Sequence, residues 1–432
     1  MEQVSNNIIG QGADRIRYKN IIGECEFLLS VFIFLPYISD IFNNIVRHII
    51  TNTYKLDTLL VYGLFGLLCL LSLKNIAKRI KSWQILIMLS VVLVMLISML
   101  TSADQSIHIE VLKNILFFCF PIFLVAGTVI DFSKLKIYIN KFALVIPYFI
   151  AFNIYVLGTG ILENGVYSQS LTYYLLLPTI VLLSAMIERF SIKTLIPLLL
   201  SLFIMFSFGA RGPLVCVALF AVLKFVFELR AKRNRWIFIV LICILGVLVY
   251  TYYFAILQWF INLFEKLGFS SRSVSLILDN SFFEDKSRIK IYQCCLSYIA
   301  NHPLWGTGLI NDRIYLVNAL YSGENAIGTY PHNIFIEILM QFGIIFGLIL
   351  LGILITLLSK CLMQKSNKTS RDMILIYLAV GVFPLLFSES YIDSSNFYLL
   401  LGLCGASFQA RAFQLPVTTD GIATHRYSLR IQ

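Results

Sequence analysis

The chain has 432 residues, of which 59% are hydrophobic and only 13% are charged, and its formal net charge is +11. A water-soluble chain of this length needs more polar surface, so this composition excludes an ordinary soluble globular protein. The lysines and arginines stand in short clusters between apolar runs, so the positive charge indicates membrane orientation and excludes nucleic-acid binding as its reason.

Apolar runs of the length needed to cross a bilayer follow one another along the chain. They predict an all-α, polytopic integral membrane protein with about 12 transmembrane helices. The predicted helices lie near residues 27–46, 58–73, 84–100, 114–130, 137–157, 169–187, 193–208, 213–228, 236–260, 333–359, 372–388 and 396–410.

The loops between these helices alternate in charge. Cytoplasmic loops carry the excess of Lys and Arg, so this alternation predicts cytoplasmic N- and C-termini. The basic loops are 74–81, 230–235 and 360–371, and the loops nearly free of cations are 101–113, 158–168 and 389–395. The predicted division is transmembrane helices 1–9 in 1–260, a large periplasmic loop with short helices in 261–332, transmembrane helices 10–12 in 333–410, and a cytoplasmic tail in 411–432.

Several common catalytic signatures are missing from the sequence. It has no GxxxxGK[ST] phosphate loop, no HExxH and no Asp-x-Asp pair, and its nine cysteines show no metal-ligand spacing. We therefore expect no metal and no cofactor. Few charged residues fall inside the predicted spans, which disfavours an ion-coupled transporter.

Arg211 and Gly212 lie in a short predicted outer turn, directly before Pro213 at the start of a helix. The positive N-terminal end of that helix, together with Arg211, would suit an anion. The alternative is an arginine that snorkels to lipid headgroups.

Arg288 opens a stretch in which apolar residues at 289, 292, 296 and 299 predict an amphipathic helix at the membrane surface. Pro303, Gly306 and Gly308 predict the turn that ends it. A solvated basic face is the alternative reading of Arg288 and its neighbouring lysines.

Tyr330, His332 and Asn333 come directly before the tenth predicted helix, and Glu337 lies in its first turns. A positive, outward-facing helix end favours neutral imidazole, so His332 could act as a general base. A histidine that caps the helix or lies at the interface is the alternative.

At these residues the chain resembles the O-antigen polymerase and ligase superfamily of bacterial envelope polysaccharide assembly. The resemblance rests on Arg211-Gly212, on Arg288 followed by a Pro-x-x-Gly-x-Gly segment at 303–308, and on His332-Asn333. An acidic residue and glycines then follow on the next helix, at 337, 343 and 347. The topology with one large late periplasmic loop is similar as well.

The resemblance implies a membrane-embedded glycosyltransferase of the bacterial inner membrane with its active site on the periplasmic side. The donor would be an oligosaccharide on undecaprenyl diphosphate. Arg211 and Arg288 would bind the diphosphate, His332 would be the catalytic base, and Tyr330, Asn333 and Glu337 would support them. Membrane lipid, a chain-length regulator and a flippase are the other expected partners.

Two reactions are open within this superfamily. A polymerase uses a second lipid-linked repeat unit as acceptor, whereas a ligase uses lipid A–core. We predict a polymerase, because the outer loop is compact and the segment 396–402 looks polymerase-like. A flippase or transporter would carry polar residues within its spans and a repeat between its halves. A structural scaffold would give no reason for Arg211, Arg288 and His332 together.

Overall fold

The computed structural model describes residues 24–49, 56–155, 169–208, 211–229, 286–320, 329–364 and 367–414, together with 251, 258, 259 and 262. These residues are all-helical and contain no strand, which confirms the all-α part of the predicted fold class. In chain order the helices are α1 (Cys25–Ile49), α2 (Leu56–Arg79), α3 (Ser82–Leu100), α4 (Gln105–Gly127), α5 (Phe132–Tyr155), α6 (Gln169–Glu188), α7 (Ile192–Phe208), α8 (Arg211–Leu229), α9 (Lys286–Asn301), α10 (Asn311–Leu320), α11 (Ile334–Leu362), α12 (Lys368–Gly381) and α13 (Ser395–Gln414).

The protein is a multi-pass membrane protein. Within the described part of the chain, six helices are long and apolar enough to cross a bilayer, namely α3, α4, α5, α6, α11 and α12 with its short extension to Leu386. Two shorter apolar helices, Cys25–Ser39 and Ile192–Ser207, accompany them. Leucines on α3 such as Leu86 and Leu89 are largely exposed, which suits a helix that faces lipid tails. A count of 12 transmembrane helices stays a prediction.

The predicted helix boundaries differ from the structure at several helix ends. The helix expected at 114–130 begins at Gln105, so most of the predicted loop 101–113 is helical. A π-turn at Ile115–Cys119 joins its two α-helical parts. The helix α13 continues to Gln414, so the first residues of the predicted tail 411–432 are also helical. The predicted helix 236–260 lies outside the described residues except for 251, 258 and 259.

The Pro-x-x-Gly-x-Gly segment packs against a break in α11. Gly343 has φ 73° and ψ 175°, a conformation essentially restricted to glycine, and it interrupts the helical hydrogen bonds. The amides of Thr307 and Gly308 donate to the freed carbonyls of Met340 and Gln341 at 2.8 and 3.0 Å. A Cβ at Gly343 would meet the backbone carbonyl of Leu304. The break in α11 therefore holds the turn after α9 by backbone hydrogen bonds.

The helix α9 buries only part of the predicted apolar stripe. Ile291, Cys295 and Ile299 are buried against α10 and α11, whereas Ile289 and Leu296 are about half exposed, at 52% and 55%. The predicted stripe is therefore buried at Ile299 and faces outward at Ile289 and Leu296. An outward apolar stripe is consistent with a helix at the membrane surface.

The bundle has two ends, each with its own polar cluster. We call the end at which α11 begins and α12 ends the His332 end. The opposite end, at which α6 and α8 finish and α12 begins, is the Lys224 end. Tyr173 and Glu188 mark these two ends on α6, and at 1.5 Å per residue they are about 22 Å apart along the helix.

The Lys224 end contains a buried ion-pair cluster that joins α5, α6, α8 and α12. Lys224 is fully buried, and its Nζ lies 2.8 Å from Glu188, 3.0 Å from Asp372 and 3.4 Å from Glu228. Lys136 also pairs with Glu188, at 2.7 Å. These three carboxylates lie close enough together to hold a metal, but the ammonium of Lys224 supplies the neutralising charge. Lys224, Glu228 and Asp372 lie inside the predicted spans 213–228 and 372–388, where they neutralise one another.

Candidate functional site

The candidate site lies at the His332 end and is organised around one carbonyl oxygen, that of Ser388. Ser388 belongs to the loop 387–394, which connects the short 3-10 turn after α12 to α13. The Tyr330 hydroxyl donates to this carbonyl at 2.7 Å, and His332 Nδ1 lies 3.3 Å from it. The rings of Tyr330 and His332 are 4.3 Å apart between centroids. The loop 387–394 therefore fixes both side chains before α11 begins.

The Ser388 carbonyl also sets the tautomer of His332. A carbonyl oxygen can only accept, so a neutral imidazole in this contact carries its proton on Nδ1. The lone pair then resides on Nε2, which is the arrangement that a general base requires. His332 has φ 55°, a left-handed backbone conformation uncommon for residues other than glycine. Such local strain is often found where side-chain direction matters for function.

Tyr173 connects the two predicted arginines to this centre. The Ser388 hydroxyl donates to the Tyr173 hydroxyl at 2.5 Å. A Cβ added at Gly212 would collide with the same Tyr173 hydroxyl, so the start of α8 with Arg211 lies directly beside it. Arg288, on α9, is within electrostatic range of Tyr173. The structure thus brings the elements that carry Arg211, Arg288 and His332 to one end of the bundle.

Three helix N-termini meet around this point. The helices α8 and α11 begin at Arg211 and Ile334, and Tyr173 lies near the start of α6. Each N-terminus carries a partial positive charge from its backbone dipoles. The side chains of Arg211, Arg288 and His332 are all half-buried, so each can meet a ligand in a partly desolvated setting. The combined positive potential suits a polyanion such as a diphosphate.

A buried polar layer lies beneath these residues and anchors the loop 387–394. The fully buried Arg313 donates from Nη2 to Ser390 Oγ at 3.1 Å and pairs with Asp393 at 3.3 Å. Its guanidinium lies over the ring of Tyr330, 5.3 Å from the centroid. Burial alone would lower the pKa of Arg313, but the carboxylates of Asp393 and Asp312 outweigh it and raise that pKa. Arg313 is therefore a permanent cation that holds Tyr330 and the loop together.

Asn333 and Glu337 have supporting positions that the structure explains. The Asn333 side chain caps α11 by accepting from the amides of Phe335 and Ile336 at 3.0 and 3.3 Å. Glu337 is fully buried and accepts from Ser390 Oγ at 2.5 Å. Glu337 belongs to the buried polar layer, and its hydrogen bond with Ser390 helps to hold the loop 387–394.

Glu389, on the loop 387–394, can exchange protons near neutral pH. Burial raises the pKa of its carboxyl to about 7, and a hydrogen bond from Ser394 at 3.3 Å opposes that rise. Asp312, deeper in the protein, also has its pKa raised by burial. Both acids are therefore poised to hold a proton at a higher pH than an exposed carboxylate would.

Sequence reasoning missed Tyr173, Arg313 and the whole loop 387–394. The loop was noted only as a stretch without Lys or Arg, which served the orientation argument. Its run of Ser388, Glu389 and Ser390 between two apolar helices was a usable signal, because polar residues at the end of a membrane helix need partners. Tyr173 and Arg313 gave no comparable signal, since their role depends on contacts between residues that are distant in sequence.

A known protein family matches the part of the chain that contains the candidate site residues. Residues 196–352 match the family model described as O-antigen ligase. The match begins in α7, ends in α11 and contains Arg211, Arg288 and His332, although it spans just over a third of the chain. It confirms the resemblance to the O-antigen polymerase and ligase superfamily, whose members are glycosyltransferase-like enzymes. No curated protein matches the chain significantly.

Proposed function

We propose that this protein is a glycosyltransferase that moves a glycan from undecaprenyl diphosphate to the hydroxyl of an acceptor sugar. The observation that carries the proposal is the position of His332. Its Nδ1 is held by the Ser388 carbonyl at 3.3 Å, and the same serine contacts Tyr173, which lies against the Arg211–Gly212 start of α8. The elements that carry the candidate base and the candidate cations therefore lie at one end of the bundle.

Arg211 and Arg288 bind the diphosphate of the donor in this proposal. The leaving group gains negative charge as the glycosidic bond to phosphate breaks, and guanidinium groups stabilise that charge through paired hydrogen bonds. The helix N-termini of α8 and α11 add to the same field. We assign the stabilisation of the leaving diphosphate to these two arginines and two helix ends. We therefore propose a metal-independent reaction.

His332 removes the proton from the acceptor hydroxyl. As the hydroxyl oxygen forms its bond to the anomeric carbon, the proton passes to Nε2 of His332. The bond between the anomeric carbon and the diphosphate oxygen breaks, and its electron pair stays on undecaprenyl diphosphate. The imidazolium that results keeps its Nδ1 hydrogen bond to Ser388, so the ring does not have to turn during the step.

The membrane setting follows from the charge distribution. The buried acids and bases of the Lys224 end, and the basic loops near Lys78 and Lys360, lie opposite the His332 end. We propose that the Lys224 end faces the cytoplasm and that the His332 end faces the periplasm of a bacterial inner membrane. An isoprenoid donor can then enter from the bilayer with its diphosphate at the outer surface.

For the acceptor we propose a second lipid-linked repeat unit, which makes the enzyme a polysaccharide polymerase. The outer loop predicted at 261–332, which is compact by its sequence length, supports this proposal. The second candidate is transfer to lipid A–core, which the description of the matching family model as O-antigen ligase favours. A polymerase would also work beside a flippase that supplies the donor and a regulator that sets chain length. A flippase activity for the chain itself is not proposed, because a transporter gives no reason to hold His332 in a single tautomer.

The test is the glycan ladder of a deletion strain, with and without this protein restored. Core capped with a single repeat in the deletion strain is the result expected for a polymerase. Uncapped core together with accumulated lipid-linked polymer would identify a ligase instead. An unchanged ladder would contradict both reactions.

A further inference from the structure

Tyr173 occupies a position at the His332 end that the sequence did not single out. It lies near the start of α6 and is half-buried. Its hydroxyl meets Ser388 from the loop 387–394 and Gly212 from the start of α8, and Arg288 from α9 is within electrostatic range.

The hydrogen-bond pattern leaves the Tyr173 hydroxyl able to donate. In the contact with Ser388, the serine hydroxyl donates and the tyrosine oxygen accepts, at 2.5 Å. A phenol has one hydrogen to give and can accept as well, so this contact does not use the hydrogen of Tyr173. The cationic start of α8 and Arg288 lie near this hydroxyl and suit an anion, and the Glu389 carboxyl on the loop 387–394 is within electrostatic range as well.

The glycine at 212 allows this approach. A Cβ on residue 212 would overlap the Tyr173 hydroxyl and would lie 3.3 Å from the ring carbon that bears it. The backbone of α8 can therefore reach the phenol only because residue 212 has no side chain. This close packing keeps the hydroxyl beside Arg211.

We propose that Tyr173 is a third ligand of the diphosphate, and that its hydroxyl donates a hydrogen bond to a phosphate oxygen between Arg211 and Arg288. The inference rests on the proposed function for the identity of the anion. A neutral donor between two guanidinium groups adds a directional hydrogen bond without adding further charge repulsion to the site. The competing role is a structural one, in which Tyr173 only ties the loop 387–394 to α6.

Two matched variants separate these roles. Tyr173→Phe removes the hydroxyl, and with it both the proposed ligand contact and the bond to Ser388. Ser388→Ala removes only the bond to Tyr173 and keeps the backbone carbonyl that holds His332. The probe is undecaprenyl diphosphate itself, and its dissociation constant is measured on purified protein in nanodiscs, with thermal melting to verify folding.

We expect Tyr173→Phe to weaken binding of undecaprenyl diphosphate roughly tenfold to a hundredfold, as loss of a hydrogen bond to a charged acceptor does. Ser388→Ala should weaken it by a clearly smaller factor. If Tyr173→Phe, Ser388→Ala and the double mutant all have the same dissociation constant for undecaprenyl diphosphate, Tyr173 acts only through Ser388. The inference is then overturned.

Transfer is measured separately, with a glycan on the lipid diphosphate as donor. A wild-type protein that binds undecaprenyl diphosphate but transfers no glycan would overturn the proposed function, while the comparison of Tyr173→Phe with Ser388→Ala would still decide the role of Tyr173. A wild-type protein that does not bind the lipid diphosphate would overturn both.

A double-mutant cycle tests the underlying geometry without any ligand. Gly212→Ala should lower the melting temperature of the wild-type protein, because its methyl group meets the Tyr173 hydroxyl. The same change should be better tolerated in the Tyr173→Phe background, where that oxygen is gone. Equal losses in both backgrounds would show that Tyr173 does not lie against Gly212, and the proposed ligand position would be wrong.

Discussion

At the scale of single residues, Arg211 and Arg288 are expected to act on the leaving group. Arg211→Ala and Arg288→Ala should each remove most glycan transfer while the protein stays in the membrane. Loss of one charge-assisted contact that strengthens as charge develops costs roughly 3 kcal/mol, on the order of a hundredfold in rate. Lysine at either position should restore part of the activity, because it returns the charge without the planar fork.

The measurement is the rate of transfer by purified variants, with the amount of membrane-inserted protein determined in parallel. Normal glycan ladders from both alanine variants would contradict a role in diphosphate binding. The arginines would then be assigned to lipid headgroups at the membrane interface.

His332 should affect transfer without removing donor binding, because the diphosphate is held by other residues. We expect His332→Ala to abolish transfer and to leave the dissociation constant of the donor nearly unchanged. His302→Ala is the matched control, since His302 is exposed, contacts the Tyr298 carbonyl at 3.3 Å and stacks on the Tyr298 ring outside the site. If His332→Ala loses donor binding as well, His332 is a diphosphate ligand and the assignment as base is wrong.

The same assignment predicts a dependence on pH. Nε2 of His332 can accept a proton only while the ring is neutral, so transfer should fall as the pH is lowered. Glu389 on the loop 387–394 also titrates in this range, because burial raises its pKa to about 7, and burial raises the pKa of Asp312 on α10 as well. Glu389→Gln and Asp312→Asn each remove one of these titrations. An acid limb that persists in both variants belongs to His332, whereas a limb that disappears in one of them belongs to the acid that it replaces.

At the scale of elements, the break in α11 decides where the turn after α9 can dock. Gly343→Ala should destabilise the protein, because φ 73° with ψ 175° costs a residue with a Cβ roughly 1–3 kcal/mol and the methyl group meets the Leu304 carbonyl. Gly352→Ala on the same helix is the control, since nothing lies within 4 Å of a Cβ at that position. Thermal melting of the purified variants measures the difference, and equal melting temperatures would contradict the docking role of Gly343.

These elements also show what the sequence could predict. Apolar runs predicted helices well, because a chain in lipid must satisfy its backbone hydrogen bonds within each segment. The amphipathic helix α9 was predicted from a period of 3.6 residues, which identifies apolar faces without saying which one lipid covers and which one α11 covers. The motif at 303–308 was recognised as a turn, but its backbone pairing with Met340 and Gln341 depends on a break that no propensity predicts.

In the candidate site, too, the sequence indicated local patterns but not contacts between distant residues. His332, Arg211 and Arg288 were found because they resemble a family pattern and stand beside helix ends. Their common support was not found, because it passes through Ser388 and Tyr173, which are 215 residues apart in the chain. Contacts of that kind leave no periodic signal in a single sequence, whereas the polar composition of the loop 387–394 did leave a signal that could have been used.

At the scale of the whole molecule, we expect the two ends of the bundle to lie on opposite sides of the membrane. The helix α11 has 29 residues, which at 1.5 Å each is about 40 Å even with its break, longer than the ~30 Å hydrocarbon core of a bilayer. It runs from His332 at one end to Lys360 at the other, and Asn367 then caps the start of α12 by accepting from the Ser370 amide at 3.0 Å. In the orientation proposed from the basic loops, this second end faces the cytoplasm.

Reporter fusions test this arrangement directly. A fusion at Ser281, before α9, should report the periplasm, and a fusion at Asn367 should report the cytoplasm. Alkaline phosphatase is active only outside and a fluorescent protein matures only inside, so the two reporters give opposite readings at each site. Fusions at Asn301 and Leu229 are the controls. Asn301 ends α9 within the same predicted outer loop as Ser281 and should agree with it, whereas Leu229 ends α8 at the Lys224 end and should agree with Asn367. If Ser281 and Asn367 report the same compartment, α11 does not separate the two ends across the bilayer, and the periplasmic site around His332 loses its basis. If they differ but with Ser281 inside, the helices cross as described and only the orientation taken from the basic loops is reversed.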